Sequence, residues 1–383
     1  MVKAAASSQS FGVYVHWPYC ARICPYCDFN VYAAKQRDTG PLLDAIRRDL
    51  AGWRDLTGPR TVSSIFFGGG TPSLLKPGEV ADLKETIAGL WDLDPHAEIT
   101  LEANPDDVDR LAAFAVAGVD RLSLGVQSLD DTELKFLGRT HSADQAIMAF
   151  EKTRGAFRSV SLDFIYGLPG QSLDKWRKAL GEILALGADH LSLYELSIEP
   201  GAAFAYAVRR GEWTPAGDDH AADLYELTQE MCAAAGLPAY EISNHARGAE
   251  HESVHNRLYW ASGDWAGVGP GAHGRFRKGG LRQAAEAERR PPDYIARVNE
   301  TGLGFAPAEA LSKLDEARER VAMGLRVREG LAPDCLDDLG LALNGAEIAD
   351  LRELGLIDPR ENRVALTTAG RLAADRVAGM ITP

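Results

Sequence analysis

The strongest constraint on the fold is an alternation that runs through the first half of the chain. Short β-branched or aromatic runs at Gly12 to His16, Val62 to Phe67, Glu98 to Ala103, Arg121 to Val126, Ser159 to Ile165 and His190 to Leu196 read as strands. Between them lie amphipathic stretches at Pro41 to Trp53, Pro77 to Leu90, Asp106 to Ala117, Ala143 to Gly155 and Leu173 to Leu186. Several carry helix-boundary residues, Pro77 near a first turn and Gly118, Gly155 and Gly187 at an end. A parallel sheet covered by helices on its outer face is the arrangement that buries such strands. The expected fold is therefore α/β, a partial (β/α)6 barrel, with further strands left open near Leu237 to Ser243 and Trp265 to Gly269.

A chain of 383 residues has room for a second, smaller unit beside a barrel of about 250 residues. After about residue 300 the pattern changes to Arg- and Glu-rich helices and then to GLIDPRENRVALTTAGRLAADRV. That tail reads as a helix, a turn-bearing β-hairpin and a last helix, a small winged-helix-like α+β module. The expected divisions are a tail over 1–10, the barrel over 11–240, an extension closing the barrel mouth over 241–300 and the C-terminal module over 301–383.

Composition narrows the possible partners. With 45% hydrophobic and 25% charged residues the chain reads as folded nearly throughout, and its net charge of -14, without a basic run, argues against nucleic acid. The winged-helix-like tail then reads as a packing module rather than a DNA reader. Apolar runs such as SSIFFGGG and HLSLYELS fall short of the roughly 20 residues that span a bilayer, so no transmembrane segment is expected. MVKAAASSQS leads into a strand-like FGVYVHW rather than a signal sequence, and the expected location is the cytoplasm.

Three of the five cysteines fall in CARICPYC, directly after the first strand, where parallel barrels place their active-site loops. Pro18 and Pro25 keep this loop from becoming a regular helix. The spacing of Cys20, Cys24 and Cys27 suits metal chemistry in a reducing compartment, and three thiolates from one loop can reach one iron-sulfur cube. Such clusters normally take four thiolates, so one iron would remain open. Zinc is the alternative, with His16 as a fourth ligand in a closed tetrahedron. Cys232 and Cys335 stand alone and read as buried or free thiols.

YVHWPYCARICPYCDFN, FFGGGTPS, LEANPDD, GVQSLDDTELKFLGRTH and DFIYGLPGQ together resemble the radical SAM family of oxygen-independent coproporphyrinogen III oxidases and their HemW relatives. The resemblance spans nearly the entire chain, and five motifs in order are specific where any of the later four alone is weak. It implies a 4Fe-4S cluster on Cys20, Cys24 and Cys27 whose open iron takes the amino and carboxylate groups of S-adenosylmethionine. It further implies that Gly68, Gly69, Gly70 and Thr71 meet the methionine part of that cofactor, and that Tyr14, Glu102, Gln127, Arg139 and Asp163 also contact it. Ser197 in LYELSIEPGAAF, and Ala272 and His273 in GVGPGAHG, are further residues that the family pattern places near this pocket.

Two departures separate the chain from the oxidases it resembles. Their pattern continues to a fourth cysteine, C-x3-C-x2-C-x-C, where this chain has Phe29, and their N-terminal segment is longer than the nineteen residues that precede Cys20 here. HNRLYW, residues 255–260, has instead the H-N-x-x-Y-W form of the HemW group of heme-binding chaperones. That implies heme held near His255, Asn256, Tyr259 and Trp260, with His255 as the first axial-ligand candidate, His251 and His245 as substitutes, and two aromatic rings packing on the macrocycle. From the residues alone, HNRLYW also reads as a packing segment with His255 bonded to backbone. The implied partner is a heme-acceptor protein, membrane-associated respiratory components among the options. The alternative activity is oxidative decarboxylation of coproporphyrinogen III to protoporphyrinogen IX.

Overall fold

The computed structural model describes residues 10–33, 39–360 and 362–383. Six strands, β1 (Ser10–Trp17), β2 (Thr61–Gly69), β3 (Asp92–Ala103), β4 (Arg121–Gln127), β5 (Ser159–Tyr166) and β6 (His190–Glu195), pair in parallel in chain order. The helices α1 (Gly40–Thr57), α2 (Pro77–Leu90), α3 (Val108–Val116), α4 (Ala143–Thr153) and α5 (Leu173–Ala185) lie in the crossovers.

The two-residue side-chain period of a strand sorts β1 between the two sides of the sheet. Phe11, Val13, Val15 and Trp17 are buried in the main apolar core, while Gly12, Tyr14 and His16 face the barrel interior. Helix α1 presents Leu42, Leu43, Ile46, Leu50 and Trp53 to that core on one stripe, each such burial contributing about 1.5–3 kcal/mol. Trp53 packs edge-on to Phe276 at 5.3 Å and against Phe305 at 5.0 Å.

The sheet extends beyond the six units. One of the two open segments supplies a strand: β8 (Asp264–Val268) pairs in parallel with the outer edge of β1, from Phe11↔Asp264 to Val15↔Val268. The other, Leu237 to Ser243, contributes only a bridge between Ala239 and His245, and the short β7 (Asn244–Ala246) runs antiparallel to β6 instead. Antiparallel strands β9 (His273–Lys278), β10 (Leu281–Glu286) and β11 (Glu309–Ala310) continue outward from β8, giving eleven strands in one sheet among the described residues.

A second apolar cluster, including Val321, Leu325, Leu336, Leu351, Ile357, Val377 and Ile381, underlies the C-terminal helices Lys313–Gly324, Gly345–Glu353 and Ala374–Ile381. The hairpin expected here is reduced to isolated bridges, Ile357↔Leu366 and Leu331↔Val364. Pro359 accounts for the shortfall, since it removes a ladder donor just past Asp358. Among the described residues no helix is long and apolar enough to cross a membrane.

Candidate functional site

The cysteine loop is fixed at several points. Tyr32 N donates to Pro18 O at 2.7 Å, and a turn through Pro25 and Tyr26 is closed by Cys27 N to Cys24 O at 3.2 Å. Pro25 O accepts from Phe204 N at 2.9 Å, and the Tyr26 ring meets Phe204, which stacks on Phe136 at 4.7 Å. On the other flank, Gly70 N donates to Trp17 O at 2.7 Å and Thr71 N to Tyr19 O at 2.9 Å. A Cβ at Gly70 would lie 2.7 Å from Tyr19 O and 2.9 Å from Trp17 O, so only glycine lets the end of β2 clamp this loop.

The three thiols face one cavity of about 510 Å³ at the C-terminal ends of the strands. Burial pushes the Cys20 thiol up and the Cys27 thiol up to about 11, which leaves both neutral until a cation compensates them. Iron would supply that charge, and Arg139 already donates from Nη1 to Cys24 Sγ at 3.4 Å, so the donor set fits a cluster. His16, the nitrogen a zinc site would need, is engaged on both sides. Its Nδ1 meets Tyr14 Oη at 3.0 Å and its Nε2 meets Asn30 O at 3.0 Å. Among the described residues no three Cys, His, Asp or Glu side chains are gathered closely enough to hold a single ion.

Most of the residues implied by the sequence converge on this cavity: Gly69, Gly70, Thr71, Glu102, Gln127, Arg139, Asp163 and Ser197 all line it with the cysteines. Glu102 accepts from Gly69 N at 2.9 Å, and burial, reinforced by the Asp163 charge, pushes its carboxyl up to about 8. Asp163 accepts from Ser123 Oγ at 2.7 Å and Ser161 Oγ at 3.0 Å, and burial raises it as well. Gln127 closes β4 with a φ of 72°, beside a register shift at Gly125, a left-handed conformation that is costly outside glycine. Arg139 also donates to Gly125 O at 2.9 Å and to Asn104 Oδ1, tying the ends of β3 and β4 to Cys24.

Tyr14, Gly68, Ala272 and His273, expected here, do not line this cavity, and His273 lines a second one. Tyr14 faces the same second cavity, its hydroxyl committed to His16. Ala272 is buried in the turn between β8 and β9 and lines neither space, while its neighbour Gly271 lines the second. Cβ atoms at Gly269 and Gly271 would meet His16 O at 2.2 Å and Asn30 Nδ2 at 2.6 Å. Sequence reasoning missed the polar floor formed by Ser123, Ser161, Ser192, Arg121 and His190. Its signal was present as serines alternating with leucines in RLSL, SLDF and LSLY, a polar face inside otherwise apolar strands.

HNRLYW forms most of a short helix, α6 (Val254–Trp260), packed on the inner face of β1 and β2. It is held by the strands: Glu98 Oε1 accepts from Ser253 Oγ at 3.2 Å and His255 N at 3.3 Å, and Leu258 abuts Gly12. The motif therefore packs inside the barrel, with Asn256 at the first cavity. His255 is 1% exposed, its Nδ1 at 2.8 Å from Ser64 Oγ, its Nε2 at 2.8 Å from Tyr259 Oη and its ring stacked on Phe66 at 5.1 Å. Burial pushes it down to about 3. Both ring nitrogens of His255, the first axial-ligand candidate, are thus hydrogen-bonded in this structure. Asn256 lines the first cavity and Tyr259 the second, while Trp260 lies under the Arg326 guanidinium at 5.5 Å. The four residues do not share one site, and His245 and His251 line neither cavity.

The strand ends of an open parallel barrel thus gather three cysteines, two glycines and two buried carboxyls around one cavity. Residues 14–183 match the radical SAM superfamily. A Bos taurus protein named radical S-adenosyl methionine domain-containing protein 1, mitochondrial, is 40% identical, covering 92% of this chain and 83% of that one. Proteins named heme chaperone HemW are 34% identical in Bacillus subtilis, covering 96% and 97%, and 38% identical in Mycobacterium tuberculosis, covering 98% and 95%. The coproporphyrinogen III oxidase HemN of Escherichia coli superposes with a TM-score of 0.81, covering 98% of this chain and 90% of that one, at 23% identity, a likeness of fold. The chain belongs to the radical SAM superfamily, in the group that holds the HemW proteins. That membership implies a 4Fe-4S cluster and S-adenosylmethionine.

Proposed function

We propose that this chain is a heme chaperone of the HemW type, holding its cluster on Cys20, Cys24 and Cys27, taking S-adenosylmethionine on the open iron, and passing heme to an acceptor protein. The observation that carries this reading is identity of 34% and 38%, over at least 95% of both chains, to bacterial proteins named as heme chaperones. When bound, the cluster supplies one-electron chemistry and an anchoring iron for the amino acid part of the cofactor. The chain's own groups do the positioning. Arg139 holds positive charge beside Cys24, Gly69 and Gly70 let backbone approach a ligand, and Glu102, Gln127 and Asp163 offer acceptors for its amino and hydroxyl groups.

Residues 241–300 are then an extension that closes the barrel mouth and 301–383 a winged-helix-like packing module. The acceptor is an apoprotein that needs heme, membrane-associated respiratory components being one class. The location proposed is the cytoplasm; the animal relatives are named as mitochondrial. The test is an anaerobic titration of cluster-reconstituted protein with heme, which should bind about one equivalent, as a single formed pocket would. Incubation with coproporphyrinogen III, reductant and S-adenosylmethionine should yield no protoporphyrinogen. Failure to take up heme, together with protoporphyrinogen formation that depends on the three cysteines, would establish the oxidase in its place.

A further inference from the structure

The second cavity, about 530 Å³, opens between β1, α6, the far end of the cysteine loop and the β8–β10 extension, and its size lies in the range of small-molecule sites. We infer that this cavity is where heme is held, with His273 as the iron ligand and Arg289 as the partner of a propionate; the inference rests on the heme-chaperone reading.

A heme is a flat apolar ring with carboxylates at one edge, and the lining offers both kinds of surface. Phe29 stands 57% exposed on the loop, an uncovered apolar face, and the rings of Tyr259 and Trp265, 4.5 Å apart, form the wall with it. Arg289 is exposed at the same cavity, and among the described residues its guanidinium has no carboxylate partner, whereas its neighbour Arg290 pairs with Asp293 at 3.4 Å. A planar guanidinium matches a carboxylate with two parallel hydrogen bonds.

His273 is the histidine of this chain that offers an open ring to a cavity. His16, His190 and His255 have both ring nitrogens hydrogen-bonded, and His141 and His220 commit Nε2 to Val126 O and Gln171 O. His245 is fully buried, and His96 and His251 line neither cavity. The His273 side chain is 59% exposed, with the Glu286 carboxylate 4.0 Å from Nε2 across the β9–β10 pair. At 4.0 Å Glu286 is a charged neighbour within a small shift of hydrogen-bonding one ring nitrogen, the usual support for a histidine that ligates metal through the other. Asp28 and Phe29 line both cavities, so heme here would share a wall with the loop that carries Cys27.

The experiment uses the full-length reconstituted protein, titrated anaerobically with ferric heme and, separately, with iron-free protoporphyrin IX. His273→Ala should weaken heme binding at least about tenfold and alter its optical and paramagnetic spectra, and Glu286→Gln should weaken it by about tenfold. Protoporphyrin affinity should be unchanged in both, because it lacks the iron. Arg289→Ala should weaken both ligands, and His273→Cys should convert the heme spectrum to a thiolate-ligated form. Wild-type binding with an identical affinity and spectrum in His273→Ala would overturn the assignment while leaving the chaperone reading intact. A wild-type protein that takes up no heme would overturn both.

Discussion

Replacing His255 by glutamine separates a buried neutral imidazole from an iron ligand. The ring lies between two hydroxyls and against Phe66, and its burial disfavours a positive charge there. In the unfolded chain it binds a proton near its ordinary value of 6.5, but in the folded chain only near 3. Between these values the unfolded state holds more protons, so stability is present above 6.5 and is lost as pH falls toward 3. The slope approaches 1.4 kcal/mol per pH unit, so moving from about pH 7.5 to about pH 5.5 removes roughly 1.4 kcal/mol through this residue. His255→Gln cannot take up the proton and cannot satisfy both hydroxyls. It should therefore be less stable near neutral pH by about 1–3 kcal/mol, while losing about 1.4 kcal/mol less than wild type on acidification. Urea unfolding of both proteins at the two pH values measures this double difference. His190 and His245, also pushed down by burial, are common to both and cancel. Equal pH dependence in the two proteins would refute the reasoning and return His255 to the list of accessible ligands.

Gly70→Ala should lower the thermal midpoint and the iron content after reconstitution, because its Cβ overlaps two carbonyls of the cysteine loop; overpacking of this kind costs about 1–3 kcal/mol. Arg139→Gln removes the charge beside Cys24 and should weaken S-adenosylmethionine binding about tenfold in equilibrium dialysis, since hydrogen bonds to charged groups contribute about 1.5–3 kcal/mol. Trp53→Ala empties the contact between α1 and the β9 side of the sheet and should cost about 3–5 kcal/mol in denaturant unfolding.

The six βα units were legible because each strand and its helix are defined by neighbours in sequence. The cluster loop was legible for the same reason, as all three cysteines lie within eight residues of one another. What local reading lacked was pairing between distant segments. Trp265 to Gly269 read as an optional strand because its parallel partner, β1, lies some 250 residues upstream without a crossover helix to announce it. The hydrogen bonding of His255 was not legible because Ser64, which meets its Nδ1, is 191 residues away. His273 stood next to the first cavity in sequence pattern, yet the antiparallel β8–β9 turn carries it to the second. The hairpin of the C-terminal module failed for a local reason, Pro359, that was already present in the sequence.

The most direct test is chemical analysis of protein purified and reconstituted without oxygen, followed by paramagnetic resonance of the reduced sample with and without S-adenosylmethionine. About four iron and four sulfide per chain, lost on substitution of Cys20, Cys24 or Cys27, with a spectrum that shifts when the cofactor is added, is the outcome expected for a cube with one open iron. Bound zinc without sulfide, or a cluster whose spectrum ignores the cofactor, would contradict it.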